Sequence, residues 1–251
     1  MLASVFLAVL VVACHAGGLR AIPGTGLFTD GTKTHLFHGL NMVNKASAPE
    51  PVTPENVRFM QRHGFNVARL GLLWYNIEIA PGVYNDTYLT GVKSDVDMLW
   101  GGGIRSFLDL HQDCFSEYFC TNEDGVPDYV GHPPNLTQYY VNGSQAFPLP
   151  IAHPKYPANI TGLPWGKISN CGDVGAGPFG WASCYTTFAA SAAVQSLYDN
   201  DNGSLDLMGA MWAHVASLFV EHPGVLAYEL MNEPWLGAVP LQEQDFVPPY
   251  K

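Results

Sequence analysis

Tyr228-Glu229-Leu230-Met231-Asn232-Glu233-Pro234-Trp235 follows a Pro-Gly break at 223 and 224 and completes a mostly apolar run that starts at Val225. A run this short and apolar reads as a strand buried on both faces, Val225 to Met231, and Pro234 stops it. An acid and an amide at the C-terminal tip of a parallel strand sit where α/β barrels keep their chemistry. Glu233 is therefore a candidate general acid. The competing reading is a polar strand end followed by a turn, and the rest of the chain has to decide between them.

Upstream, strands and helices alternate. Leu27-Phe28-Thr29 and Thr34-His35-Leu36-Phe37 flank the turn Asp30 to Lys33 as a hairpin, and a first barrel strand is expected near Leu36 to Val43. Thr53-Pro54-Glu55 has the form of a helix start, with Thr53 as N-cap, and Gly64 ends that helix before a second strand from Asn66 to Trp74. Leu89, Val92, Val96 and Leu99 at helical spacing predict a helix from about Thr87 to Trp100, stopped by Gly101-Gly102-Gly103. No Lys-Ser or Lys-Thr follows those glycines, so they are not a phosphate cradle. Ile104 to Leu110 is a third strand, helical periodicity returns at Thr186 to Tyr198 and Leu205 to Glu221, and the quoted run is the fourth strand. Recurring strand-helix units imply an α/β fold with parallel pairing.

Cys114 to Tyr185 breaks the pattern. It is rich in Gly, Pro, Asn and Tyr and reads as one long functional loop. Cys114, Cys120, Cys171 and Cys184 fall within it and are expected to clip it as two disulfides, with Cys171 to Cys184 the favoured pairing. Zinc is the rival reading, but no C-x-x-C pair is present.

Composition bounds the partners. A net charge of -11 with no basic run argues against nucleic acid. Met1 to Ala16 has the apolar core and small terminal residue of a secretory signal peptide, leaving 17–251 as the mature part. Asn85, Asn135, Asn142, Asn159 and Asn202 all head glycosylation sequons, which agrees with secretion or passage through the secretory and lysosomal lumen.

Polar residues on apolar strands mark the remaining candidates. Asp109, His111 and Asp113 share one face by alternation, a costly arrangement unless they meet a wet site at the strand end. A metal site is conceivable on these residues, yet a second ligand cluster is missing, so no metal or cofactor is expected. Arg69 needs a carboxylate partner, from Glu229 or Glu233, and either serves the chemistry or braces the barrel. Glu229 itself reads as an inward acid paired within the barrel.

Phe37-His38-Gly39-Leu40-Asn41, Arg69, Leu108-Asp109-Leu110-His111-Gln112-Asp113 and Tyr228 to Pro234 together resemble the family 5 glycoside hydrolases. Within that family, Asn41-Met42-Val43-Asn44-Lys45, His111-Gln112-Asp113, Ser116-Glu117, Gly125 to Asp128 and Leu197 to Asn200 look like the endoglycoceramidases. The resemblance implies a (β/α)8 TIM barrel, of which this chain supplies the first four βα units. It also implies retaining cleavage of the bond between oligosaccharide and ceramide in glycosphingolipids. Glu233 would be the acid/base, Asn232 the amide on the sugar 2-hydroxyl, and Arg69 the cation beside the nucleophile. His111, Asp113 and Lys45 would hold the first sugar.

In the family the nucleophile is a glutamate on the seventh strand, so it is expected to be absent from this chain. Glu243, in a Pro-rich tail, reads as a surface acid. The chain is thus expected to be an inactive, marginally folded N-terminal half, with Leu108, Leu110, Leu226 and Leu230 on an incomplete sheet that leaves their apolar surface exposed. Another β-glycoside, such as glucosylceramide or a β-glucan, is the alternative substrate; a non-catalytic product is the alternative class. Phe147, Pro148, Leu149, Pro150, Ile151 and Trp165 either flank a lipid, with transient membrane or micelle contact, or pack on the barrel.

Overall fold

The computed structural model describes residues 19–45, 50–113, 115–116, 125–131, 188–235 and 237. An antiparallel sheet opens the chain, with β1 (Arg20–Ile22), β2 (Leu27–Thr29) and β3 (Thr34–His35) in sequence order. The expected hairpin is present, widened by a third strand. Asp30 organises its turn by accepting from the backbone N–H groups of Thr32 and Lys33, each at 2.8 Å.

Four parallel strands form the central sheet, side by side in chain order: β4 (Gly39–Met42), β5 (Val67–Leu72), β8 (Arg105–Leu110) and β9 (Val225–Glu229). The intervening β6 (Glu78–Ala80) and β7 (Val83–Tyr84) make a separate two-stranded ribbon. Parallel neighbours in chain order require long returns, and helices supply them. These are α1 (Pro54–Arg62), α2 (Trp74–Ile77), α3 (Asp86–Gly101), α4 (Asp128–Gly131), α5 (Phe188–Tyr198) and α6 (Ser204–Ser217). A 3-10 turn, Asp201–Gly203, precedes α6.

The expected helix signals act as read. Thr53 caps α1 reciprocally: its hydroxyl accepts from the Asn56 N–H at 3.2 Å, while the Asn56 side-chain oxygen accepts from the Thr53 N–H at 2.8 Å. Asn85, singled out in the sequence only as a sequon, caps α3 by accepting from the Tyr88 N–H at 3.1 Å. Gly102 and Gly103 end α3, and Gly103 takes the left-handed conformation that lets the chain turn into β8.

Several strand limits are shorter than expected. Leu36 and Phe37 are outside β4, because β3 ends at His35 and the chain then crosses between sheets with Leu36 exposed. Leu73 and Trp74 leave β5 to start α2. Glu78, inside the ribbon the sequence reading missed, is 1% exposed and accepts from Trp74 Nε1 and from the Gly82 N–H, each at 2.6 Å. β9 ends at Glu229 instead of Met231.

Alternation divides the sheet into two faces. Asn41, Arg69 and Phe107 lie in one register row, and Gly71, Asp109 and Glu229 in the next, all on one face. Leu70, Leu72, Leu108 and Leu110 take the other face and share a core with Val57, Met60, Leu89, Val96, Leu99, Met211 and Val215 of the helices. Leu108 and Leu110 are 0% and 1% exposed, which corrects the expectation that they would be bare. Leu230, beyond the strand, is 48% exposed. Among the described residues the sheet has two edges, β4 and β9, and does not close on itself.

Candidate active site

Arg69 is the centre of the polar face. Its guanidinium donates from Nε to Glu229 Oε2 at 2.7 Å and from Nη2 to Glu229 Oε1 at 2.8 Å, a bidentate pair across the sheet. Nη2 also donates to Asn232 Oδ1 at 2.8 Å, and Nη1 to Asn41 Oδ1 at 3.1 Å. Both Nη2 hydrogens are thereby used. Asp109 Oδ1 lies 3.0 Å from Nη2 but accepts no hydrogen bond, so its attraction to Arg69 is purely electrostatic. Hydrogen bonding to Glu229, against the opposing effect of burial, raises the Arg69 pKa above its ordinary value, with Asp109, Glu229 and Glu233 adding to the rise.

The other Asp109 oxygen holds His111. His111 Nδ1 sits 2.8 Å from Asp109 Oδ2, and Nε2 sits 3.4 Å from Asp113 Oδ2. Burial alone would lower the His111 pKa. The flanking carboxylates outweigh it and push the imidazole up to about 9. Asp109, fully buried, is driven up by desolvation, against the pull of His111 and Arg69. For Asp113 burial acts upward, but hydrogen bonds from His111 and Lys45 bring it below the usual carboxylate range. Lys45 reaches Asp113 from the loop after β4 as a direct ion pair.

Asn232 is fixed at both ends. Its Oδ1 accepts from Arg69, and its Nδ2 donates to the Gln112 carbonyl at 3.0 Å, which settles the amide orientation. Its backbone N–H donates to Leu110 O at 2.8 Å, prolonging the β8–β9 pairing by one bond beyond the strand. Glu233 follows with a left-handed backbone, φ 40°. Such a conformation in a non-glycine residue costs of order 1–3 kcal/mol and persists where the surroundings impose it.

The structure thus brings together Lys45, His111, Asp113, Asn232 and Glu233, which follow the C-terminal ends of β4, β8 and β9, with Arg69, Asp109 and Glu229 of the strands themselves. Asn41 and Gln112 stand within the sequence motifs but carried no expected role of their own. Asn41 shares a register row with Arg69, a relation visible only once β4 and β5 are paired. Gln112 donates from Nε2 to the backbone carbonyls of Asn232, at 2.7 Å, and Glu233, at 3.2 Å. Among the described residues no cluster of three or more His, Cys, Asp or Glu side chains has the geometry to hold a metal ion. Within the same residues no helix is long and apolar enough to cross a membrane.

Cys114, Cys120, Cys171, Cys184, Glu243, the apolar residues 147–151 and Trp165, the first 16 residues, and the sequons at Asn135, Asn142 and Asn159 lie outside the described residues. Of the other two sequons, Asn85 is the α3 cap and Asn202 sits exposed in the 3-10 turn with φ 54°.

Catalytic-type carboxylates at the C-terminal tips of parallel strands, braced by arginine and amide groups, are the arrangement used by barrel glycosidases. No protein-family model matches the sequence. An endoglycoceramidase of Hydra vulgaris is 32% identical over 244 residues, covering 93% of this chain and 44% of that protein. A solved endogalactoceramidase superposes with a TM-score of 0.61 at 23% identity, over 87% of this chain and 45% of that one. The lactosyl-enzyme intermediate of Rhodococcus sp. endo-glycoceramidase II superposes with a TM-score of 0.57 at 22% identity, over 80% and 41%. In sequence and in fold the chain is endoglycoceramidase-like, and it spans somewhat under half the length of the relatives it matches.

Proposed function

We propose that the chain is the acid/base-bearing part of a retaining glycoside hydrolase that releases oligosaccharide from ceramide. The observation that carries this reading is the Asn232-Glu233 tip of β9, tied to Arg69 at 2.8 Å, in a chain similar to an endoglycoceramidase over 93% of its length. Glu233 gives its proton to the leaving glycosidic oxygen and later takes one from the attacking water. Protonating a poor alkoxide leaving group is worth roughly 10²–10⁴ in rate. Asn232 offers its remaining N–H to the sugar 2-hydroxyl. Lys45, Asp113 and His111 form a charged row that binds the hydroxyls of the first sugar.

The partner carboxylate of a retaining enzyme stands roughly 5 Å from the acid/base. Glu229 is unsuited to that part, since both its oxygens are held by Arg69. In this proposal the nucleophile comes from a later strand of a completed (β/α)8 barrel, and Arg69 stabilises it electrostatically. The same reading has the protein enter the secretory pathway behind residues 1–16, with glycans on its sequons and disulfides clipping the loop near 114–185.

The test is to incubate the whole protein with a lactosyl-headed or larger glycosphingolipid and, separately, with glucosylceramide and a β-glucan. Release of intact oligosaccharide and free ceramide, with retention at the anomeric carbon, is expected. Hydrolysis of the glucan or of glucosylceramide alone would shift the assignment to another β-glycosidase.

A further inference from the structure

We infer that Gln112 is the positioning residue for the acid/base, the group that holds Glu233 in its left-handed conformation at the tip of β9. This rests on the reading of Glu233 as the acid/base. Gln112 is 2% exposed and lies two residues past the end of β8. Its amide NH2 donates to the carbonyls of Asn232 and Glu233 at 2.7 and 3.2 Å. Its amide oxygen accepts from the Phe115 N–H at 3.0 Å, and its own carbonyl accepts from Asn232 Nδ2 at 3.0 Å.

The residues at the two ends of this one side chain share a rare property. Phe115 has φ 71° and Glu233 has φ 40°, two of the five left-handed non-glycine residues in the described chain. Backbone strain of this kind survives only where neighbours over-determine it. The loop after β9 has other anchors, but they grip its flanks: Trp212 Nε1 donates to Leu230 O at 3.2 Å, and the Tyr198 hydroxyl donates to Trp235 O at 2.6 Å. Between those flanks, Gln112 donates to the two carbonyls that bracket the strained Glu233 residue.

Side-chain shape selects glutamine here. Both its ends must hydrogen bond, one as donor and one as acceptor, in a buried space. A glutamate of the same size would turn an acceptor toward two carbonyls, and a methionine would fill the volume and bond to neither. In either variant Glu233 keeps its carboxyl but loses its aim. A displacement of about 1 Å at a reacting group costs on the order of a hundredfold.

The experiment compares the whole wild-type protein with Gln112→Met and Gln112→Glu on two substrates of the same glycan. One carries the natural alkyl leaving group, the other a 2,4-dinitrophenol that departs without a proton. We expect kcat/KM on the first to fall by about 30- to 100-fold and on the second by less than about threefold. An equal fall on both substrates, or none on either, overturns the inference. Amide hydrogen exchange supplies the second readout, independent of turnover: residues 231–235 and 115–116 should exchange faster in Gln112→Met while 67–72 remain protected. Unchanged exchange at 231–235 overturns the inference even if activity falls. If the wild type cleaves neither substrate, the glycosidase reading fails, and exchange alone then decides whether Gln112 holds the Glu233 loop.

Discussion

Arg69 and Glu229, 160 residues apart in the chain, meet through two hydrogen bonds of 2.7 and 2.8 Å across the face of the parallel sheet. Asp109 stands on the strand between them, fully buried and 3.0 Å from the same guanidinium. One cation therefore offsets two acids and orients Asn232 as well. The arrangement braces the sheet and places a positive charge within electrostatic reach of Glu233.

Arg69→Ala should cost about 2–4 kcal/mol in urea unfolding. Breaking a buried pair costs roughly 3–5 kcal/mol, and Glu229, whose side chain is 33% exposed, recovers part of its hydration. Turnover should fall in the same variant without a change in the bond cleaved. Full turnover with the stability lost would leave Arg69 a brace and nothing more.

Glu233→Gln should fold as the wild type does and lose about 10³-fold or more of its activity on a natural glycoside, because a carboxamide is isosteric but donates no catalytic proton. Circular dichroism melting and glycan release, measured on one preparation, check both halves. Normal release removes Glu233 from the mechanism.

The His111 imidazole, lifted from its usual 6.5 to about 9 by Asp109 and Asp113 despite burial, links stability to pH. Because the folded state favours the charged ring, its contribution is complete below about pH 6.5 and disappears as pH rises through about 9. Melting temperatures of wild type and His111→Asn from pH 6 to pH 10 should converge at the alkaline end. A constant gap across that range would refute the linkage.

Gly39→Ala should destabilise the fold more than Gly71→Ala. A Cβ at position 39 would stand 1.6 Å from the Val67 backbone oxygen and force β4 off β5. At position 71 it would meet the Val43 side chain at 2.8–3.1 Å, which a rotamer shift can relieve in part. Expected costs are about 3 kcal/mol or more against roughly 1–2 kcal/mol, read from denaturant midpoints.

Much of the sheet could be read from local pattern. Val67 to Leu72 and Arg105 to Leu110 are short segments in which Val, Leu and Phe recur around a few polar residues, and each parallel strand was located within a few residues. Thr53-Pro54 and the glycines after Trp100 carry their capping chemistry in their own side chains, or in the lack of one, so the limits of α1 and the end of α3 needed little tertiary information. The β6–β7 ribbon was missed because its strands are three and two residues long, and the buried Glu78 that ties it together looks like a surface acid in sequence.

Sequence by itself determined which residues are polar on or at the end of apolar strands: a period of two grouped Asp109, His111 and Asp113, a lone charge in a strand singled out Arg69, and a strand tip singled out Asn232 and Glu233. Tertiary structure decided how they pair. The choice of Glu229 over Glu233 for Arg69 depends on the Asp109–Glu229 register and the bulge between Ser106 and Phe107, which shifts β9 against β8. Gln112 lies two residues past the last strand residue of β8, and only the approach of the chain after β9 gives its amide two carbonyls to hold. Hydrogen bonds between residues 120 apart depend on distances that no local pattern encodes.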